Sequence, residues 1–194
     1  MKIAIGGSAA NPAHYGHRYL MEKVSRLQLF DKIEWIISGN RPDKPEMPPA
    51  YMRWQMTKLL ICNPQVEITY EGAEAIPTID VIRQKQKQFP TAKITFFCGS
   101  DHFIAREKYA GACDIEEFWD EGQWLMNNQH FLIIPRKGTE QSIMRYPKNF
   151  TLLDAKTPEI SSTLIRQNVI AKRSNLAFTS QAVIDYIKEN QLYV

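Results

Sequence analysis

Short apolar runs that are typical of buried strands alternate along this chain with longer segments whose apolar residues have helical spacing. Residues 94–98 form one such run, as expected at the centre of a parallel sheet. Strands that alternate with helices pair in parallel through right-handed crossovers, so the order predicts a Rossmann-like, doubly wound α/β fold with helices on both faces of the sheet. The predicted strands are residues 3–5, 33–37, 66–70, 94–98, 130–134 and 150–153.

The predicted helices lie between and after these strands, and the length of 194 residues indicates one domain, 1–194. Thr78 is expected to cap the third helix, and Thr179 or Ser180 the final one. The last helices form a small C-terminal helical part. The predicted helices begin near Gly16 and at Pro49, cover about 78–89, include one or two short helices within 101–129, and end with 160–172 and 179–190.

Three loops are expected to converge at the carboxyl edge of this sheet, where ligands of doubly wound folds bind. They are residues 6–8, 38–44 and 99–101, each of which follows a predicted strand. Since this convergence follows from the topology alone, the ligand site is predicted at this edge.

The stretch from Gly6 to His17 predicts an anion site between the first strand and the first helix. Gly6 and Gly7 lack a β-carbon, which permits close approach of a ligand to the backbone. The helix that begins near Gly16 offers unpaired N–H groups and the positive end of its dipole, where phosphate commonly binds. His14 and His17 can donate hydrogen bonds to phosphate oxygens when neutral, and they add charge when protonated.

Two other interpretations of the histidines remain open. An isolated His-x-x-His pair is usually two ordinary surface histidines in a loop, and a metal pair would need a third ligand, which is not evident nearby in the sequence. The stretch is also neither a Walker loop nor the dinucleotide fingerprint, because it lacks Gly-Lys-Ser/Thr and a third glycine at the right offset. The glycines before the histidines and the helix after them favour phosphate.

A second phosphate-binding element is predicted at the start of the helix 160–172. The hydroxyl and N–H groups of Ser161, Ser162 and Thr163 face the same way at its N-terminus. Arg166 lies one turn further on, within reach of an anion held there. The ordinary alternative is an N-cap followed by a solvated arginine.

Together the two elements resemble the signatures of the nucleotidyltransferase superfamily, whose members transfer a nucleoside monophosphate from a triphosphate. Residues 14–17 match its His-x-Gly-His motif, and residues 160–166 match its Ile-Ser-Ser/Thr-Thr-x-Ile-Arg motif. The resemblance implies that His14, His17 and Arg166 are catalytic and that the last helices, about 160–194, close the nucleotide site. The implied ATP-binding residues are Gly6, Gly7, Ser8, His14, His17, Ser161, Ser162, Thr163 and Arg166.

Further segments resemble one branch of that superfamily, the nicotinate (nicotinamide) mononucleotide adenylyltransferases. These segments are Pro77-Thr78-Ile79-Asp80, Gly99-Ser100-Asp101, Phe118-Trp119, Arg53-Trp54-Gln55-Met56 and the C-terminal ending 183–193. The resemblance implies that the acceptor is bound by Thr78, Asp101, Trp119 and Lys44. In this branch the Trp that corresponds to Trp119 stacks on the nicotinate ring. The ordinary alternatives are that Trp119 is a core aromatic residue, that Asp101 only caps a helix, and that Arg53 lies on the polar face of its helix.

The chain departs from this branch in two loops. The turn Ala9-Ala10-Asn11 is one residue longer than usual and lacks an aromatic residue. The usual Pro-His-Lys segment is replaced by residues 40–44, in which Arg41 or Lys44 is the candidate cation.

The resemblance implies adenylyl transfer from ATP to nicotinate mononucleotide, which forms deamido-NAD and pyrophosphate. The attacking 5′-phosphate is already an anion, so no general base is needed, and catalysis should come from positioning and charge neutralisation. Mg²⁺ is expected to arrive with ATP, with no metal ligand from the protein. The alternatives are another acceptor, nicotinamide mononucleotide or phosphopantetheine, and a catalytically silent nucleotide-binding module.

Composition limits the other partners. The net charge of +3 does not call for nucleic acid or a membrane, and no stretch reaches the roughly 20 apolar residues of a membrane span. The three cysteines are widely spaced and the N-terminus goes directly into a strand with no signal peptide, which suits a reducing cytoplasm. The oligomeric state is left open, and a homo-oligomer is compatible with the sequence.

Overall fold

A parallel sheet forms the centre of the computed structural model, which describes residues 1–40, 46–139, 141–155 and 157–194. The strands are β1 Lys2–Ser8, β2 Lys32–Ile37, β3 Val66–Tyr70, β4 Lys93–Gly99, β5 His130–Ile134 and β6 Asn149–Leu152. They lie in the order β3-β2-β1-β4-β5-β6, and every neighbouring pair is parallel. The predicted parallel sheet is therefore confirmed, with all six predicted strands in place.

The direction of the strand order reverses beside β1. Ile3 lies opposite Lys32 of β2 on one side and opposite Ile94 of β4 on the other. Crossovers on the two sides of β1 therefore run in opposite directions and leave a crevice at the carboxyl ends of β1 and β4. This crevice positions the candidate site.

Seven α-helices are present in the described part of the chain. They are α1 Tyr15–Arg26, α2 Ala50–Leu60, α3 Thr78–Gln88, α4 Asp114–Phe118, α5 Gly122–Asn128, α6 Ser162–Ile170 and α7 Gln181–Glu189. Two short 3-10 turns, Ser100–Phe103 and Glu107–Tyr109, connect β4 to α4.

The helices cover both faces of the sheet, because successive strand side chains point to opposite faces. One core cluster joins β1 to α2 and α7 through Ala4, Met56 and Val183. The other joins β1 to α3 through Ile5 and Ile79. This two-sided burial explains why the strands at the centre of the sheet have almost wholly apolar sequences, and it confirms the doubly wound fold.

One predicted helix cap is wrong and another is confirmed. Pro77, and not Thr78, is the N-cap residue of α3, and its N-cap makes no side-chain hydrogen bond. Proline is suited to this place because the ring fixes φ, here −54°, and no N–H is needed. Ser180 caps α7 by accepting a hydrogen bond from Val183 N at 3.3 Å.

The described helices give no sign of a membrane-spanning segment, since none of them is both long enough and apolar enough to cross a bilayer.

Candidate active site

The two glycines before the first turn are required by the packing of neighbouring strands. A Cβ on Gly6 would lie 2.6 Å from the ring of Phe97, and a Cβ on Gly7 would lie 2.5 Å from the carbonyl oxygen of Ile36. Both glycines also line the large cavity described below. A substitution here would therefore disturb the sheet as well as any ligand that approaches the backbone.

His14 and His17 form the N-terminal cap of α1. His14 Nδ1 accepts a hydrogen bond from Gly16 N at 3.1 Å, and His17 Nδ1 accepts one from His14 N at 3.2 Å. A ring nitrogen that accepts a hydrogen bond carries no proton, so each neutral imidazole carries its proton on Nε2. The two rings stack with their centroids 3.8 Å apart. The pair therefore has two Nε2–H donors and is fixed by the backbone of the helix start.

Burial and positive charge keep both imidazoles neutral. Burial, and to a smaller extent the positive charge of Arg136, lowers the pKa of His14 to about 4. The pKa of His17 lies well below its usual value for the same two reasons and because His14 is adjacent. At neutral pH both side chains are consequently uncharged hydrogen-bond donors, which decides between the two states that the sequence left open.

The second element packs directly against the first turn. Ser161 caps α6 by accepting a hydrogen bond from Leu164 N at 3.2 Å. Ser162 Oγ donates to Pro12 O at 2.8 Å, across 150 residues of sequence. The N-terminus of α6 and the His-x-Gly-His turn therefore meet at the same end of the sheet.

The guanidinium of Arg166 donates hydrogen bonds both to the turn and to its own helix. Its Nη1 donates to Asn11 O at 2.7 Å, and its Nη2 donates to Thr163 Oγ1 at 3.3 Å. These bonds use only part of the N–H groups of a guanidinium. Arg166 can hence support the turn and still donate to an anion between the two motifs.

A cavity of about 850 Å³ lies beside the carboxyl ends of β1 and β4. Thr78 and Trp119 line it together with Gly6, Gly7 and Ser8. The indole of Trp119 makes an edge contact with Phe96 at 5.8 Å between ring centroids and another with His102 at 5.5 Å. The structure therefore brings three of the predicted segments, 6–8, Thr78 and Trp119, to one cavity. Its lining residues do not include the two histidines, Asp101 or the start of α6.

The geometry agrees with a match to a known family. Residues 5–168 match the family model described as Cytidylyltransferase-like. The chain belongs to the Cytidylyltransferase-like family. This membership covers both the His-x-Gly-His turn and the start of α6, so it confirms the resemblance to nucleotidyltransferases.

Two curated relatives of this Cytidylyltransferase-like protein share the name probable nicotinate-nucleotide adenylyltransferase. The relative from Leifsonia xyli is 26% identical over 197 residues, which cover 99% of this chain and 94% of the relative. The relative from Clostridium acetobutylicum is 28% identical over 212 residues, which cover 100% of this chain and 99% of the relative. The similarity therefore extends over the whole of both chains.

A solved structure supports the fold. The nicotinic acid mononucleotide adenylyltransferase of Plasmodium falciparum, complexed with NaAD, superposes with a TM-score of 0.81 at 24% identity. The match covers 99% of this chain and 97% of the other. It confirms the Rossmann-like architecture that the order of strands and helices predicts.

Asp101 is held by a cation that the sequence interpretation did not include. Arg136 Nη1 lies 2.7 Å from Asp101 Oδ2, and Arg136 N donates to Ser100 Oγ at 2.9 Å. Arg136 also lowers the pKa of both histidines. Its position could have been found from sequence, because it follows the strand 130–134 and Pro135 and so lies at the carboxyl edge of the sheet.

Arg53 is buried and hydrogen-bonds to two loops, so it does not lie on a polar helix face. Its side chain has no exposed surface. The guanidinium donates to Pro48 O and Ser38 O at 2.8 Å, to Asn40 Oδ1 at 2.9 Å and to Ala9 O. Within the described residues it has no carboxylate within ion-pair distance, and burial lowers its pKa. Arg53 therefore joins the first turn to the loop after β2.

Arg41 and Lys44, the two candidates for the loop cation, both lie outside the described residues.

Proposed function

We propose that this protein transfers the adenylyl group of ATP to nicotinate mononucleotide, forming deamido-NAD and pyrophosphate. The observation that carries the proposal is the contact between the His-x-Gly-His turn and the N-terminus of α6, through Ser162 and Pro12, beside a cavity lined by Trp119. Two helix N-termini that lie close together form a suitable site for a polyphosphate. The names of the curated relatives support the choice of acceptor.

The transfer requires no covalent intermediate on the protein. One oxygen of the acceptor 5′-phosphate bonds to the α-phosphorus of ATP, and the bond from that phosphorus to the bridging oxygen of the β-phosphate breaks. Pyrophosphate leaves with the electron pair. The nucleophile is already an anion, so the protein has to align the two phosphates and stabilise the charge that develops on them.

The neutral histidines are suited to this task. Their Nε2–H groups donate to phosphate oxygens without taking up a proton, and their orientation is set in advance by the hydrogen bonds at Nδ1. We assign His17 to the α-phosphate and His14 to the neighbouring oxygens. Ser161, Thr163 and Arg166 hold the β- and γ-phosphates from the other side, while Ser162 fixes the turn itself.

The acceptor is assigned to the cavity. Trp119 offers an aromatic face for the pyridine ring, and Thr78 lies at the amino end of α3, where its N–H can bind a carboxylate. Asp101 orients a ribose hydroxyl while Arg136 fixes its carboxylate. Lys44 remains a proposed acceptor ligand.

Mg²⁺ is proposed to enter with ATP and to neutralise phosphate charge when bound. Within the ranges that the structure describes, no three His, Cys, Asp or Glu side chains are grouped so that they could hold a metal ion. The residues present fit a cation whose ligands are mostly phosphate oxygens and water.

We also propose a cytoplasmic location. All three cysteines, Cys62, Cys98 and Cys113, are free thiols, as is usual in a reducing compartment.

The experiment is pyrophosphate release from the purified protein with ATP and Mg²⁺, offered nicotinate mononucleotide, nicotinamide mononucleotide and phosphopantetheine in parallel. We expect turnover with nicotinate mononucleotide to exceed the others at least tenfold in kcat/KM. A preference for another acceptor would contradict the acceptor assignment and keep the chemistry. ATP binding without turnover on any acceptor would contradict the enzymatic proposal and indicate a silent nucleotide-binding module.

A further inference from the structure

The turn after β1 is held almost entirely by side chains from distant parts of the chain. The carbonyl oxygens of four of its residues each accept a hydrogen bond from such a side chain. The donors are Arg53 to Ala9, Arg166 to Asn11, Ser162 to Pro12 and Thr179 to Ala13. Three of the four donors lie after residue 160, so the C-terminal part of the chain determines the shape of the phosphate-binding turn.

Asn11 is held at a second point, through its side chain. Tyr193 Oη donates to Asn11 Oδ1 at 2.7 Å, across 182 residues of sequence. The tyrosine hydroxyl lies near the charges of Arg53 and Arg166. Burial raises the pKa of Tyr193 above its usual range, so the hydroxyl keeps its proton and remains a donor.

The conformation of residues 191–193 is determined by their contacts with the turn and with the core. Gln191 and Tyr193 have φ values of 50° and 65°, in the left-handed region that residues with a Cβ seldom occupy. Leu192 N donates to Ile187 O at 3.0 Å, and the side chains of Leu192 and Tyr193 pack against the core cluster below α7. Unfavourable backbone angles are retained where surrounding contacts outweigh their cost, so these contacts hold residues 191–193 against the turn.

We propose that Tyr193 is a positioning residue for adenylyl transfer, acting through Asn11. Its hydroxyl fixes the side chain of Asn11 while Arg166 fixes the carbonyl of the same residue, and the two bonds together set the path of the backbone into His14. The catalytic part of this inference, an effect on adenylyl transfer, rests on the proposed function. The structural part, that Tyr193 prepares the ATP site, does not depend on which acceptor the protein uses.

The direct test is Tyr193→Phe, which removes one oxygen atom and keeps the ring that packs against the core. We expect kcat/KM for ATP to fall about tenfold, the KM for the acceptor to stay unchanged, and the melting temperature to stay within about 3 °C. Tyr186→Phe is the matched control, because Tyr186 packs against the same core cluster but makes no described hydrogen bond to the turn. Equal kcat and KM values for Tyr193→Phe and the unaltered protein would overturn the proposal.

A double-mutant cycle separates positioning from general destabilisation. If Tyr193 acts through Asn11, the variant with both Asn11→Ala and Tyr193→Phe loses no more ATP affinity than Asn11→Ala alone. Losses that multiply would overturn the proposal. The cycle is measured as ATP binding by calorimetry in addition to turnover. If the protein shows no turnover but its ATP affinity changes as the cycle predicts, the proposed function is rejected and the structural part of this inference, that Tyr193 prepares the ATP site, is kept.

Discussion

The proposed ATP side and the proposed acceptor side of the site differ in how many of their groups have defined hydrogen-bond partners. On the ATP side, four carbonyl groups of the turn and both histidine rings have defined hydrogen-bond partners. On the proposed acceptor side, Asp101 is paired with Arg136, but Trp119 is positioned by edge contacts with Phe96 and His102, and its neighbour Phe118 is 60% exposed.

The difference indicates which part of the reaction each side controls. A preorganised phosphate site stabilises the transition state without reorganising, which suits chemistry that is the same for every acceptor. The ligand preference of a wide cavity lined by loops can be altered by substituting a few side chains. Changes on the ATP side should therefore reduce kcat, whereas changes on the acceptor side should alter the KM of one substrate.

His17→Ala should have the largest effect on turnover. We expect kcat to fall about 10²- to 10³-fold, because one donor to the reacting phosphate is lost. His130→Ala is the control, since His130 begins β5 at the opposite edge of the sheet. Turnover within threefold of the unaltered protein would remove His17 from the mechanism.

Arg53→Ala should have the largest effect on stability. Four oxygen acceptors would lose their buried donor and a cavity would remain, so we expect the free energy of unfolding to fall by about 3 kcal/mol. Denaturant unfolding measures the loss. Arg18→Ala serves as the comparison, because Arg18 is half-exposed in a helical ion pair with Glu22 and should matter by less than about 0.5 kcal/mol. If Arg53→Ala lowered the free energy of unfolding by as little as Arg18→Ala does, the hydrogen bonds of Arg53 would not be needed for stability.

Acid should destabilise the folded protein first through the buried histidines of the proposed ATP side. His14 has a pKa of about 4 when folded and an ordinary value of 6.5, so the unfolded chain binds more protons between these values. Stability is therefore complete above about pH 6.5 and falls as the pH drops towards 4, by on the order of 2–3 kcal/mol from this residue.

The measurement is the free energy of unfolding at several pH values, with His14→Asn as the matched variant, because asparagine also caps helices and does not titrate. We expect its profile to be flatter between pH 6.5 and 4. The pKa of Glu116 is lowered to about 2, chiefly by Arg145, so its contribution is lost at lower pH, below about 4.5. Parallel profiles above pH 4 would contradict the assigned state of His14.

Trp119→Ala should have the smallest of these effects and the most selective one. We expect the KM of the pyridine nucleotide to rise about tenfold while the KM of ATP stays unchanged, because only a stacking surface is removed. Trp124→Ala is the control, since Trp124 lies in α5 and does not line the cavity of the site. A rise in both KM values would mean that the two sides are not independent.

Local sequence patterns were sufficient for the elements and for the motifs. The strand at 94–98 and the helix start at Ser161 are both where the sequence predicts them, since apolar spacing and capping residues act over a few neighbours. The error at Thr78 is also local, because a capping hydroxyl and a proline that precedes a helix compete for the same position.

The sequence by itself determined the alternation of strands and helices, the edge at which the loops meet and the two phosphate motifs, because each of these depends on residues close together in the chain. Only the tertiary structure decided that the histidines are neutral, that Arg136 holds Asp101, and that Tyr193 reaches Asn11. The physical reason is that burial and the field of distant charges depend on partners 35 to 182 residues away, which no local periodicity records.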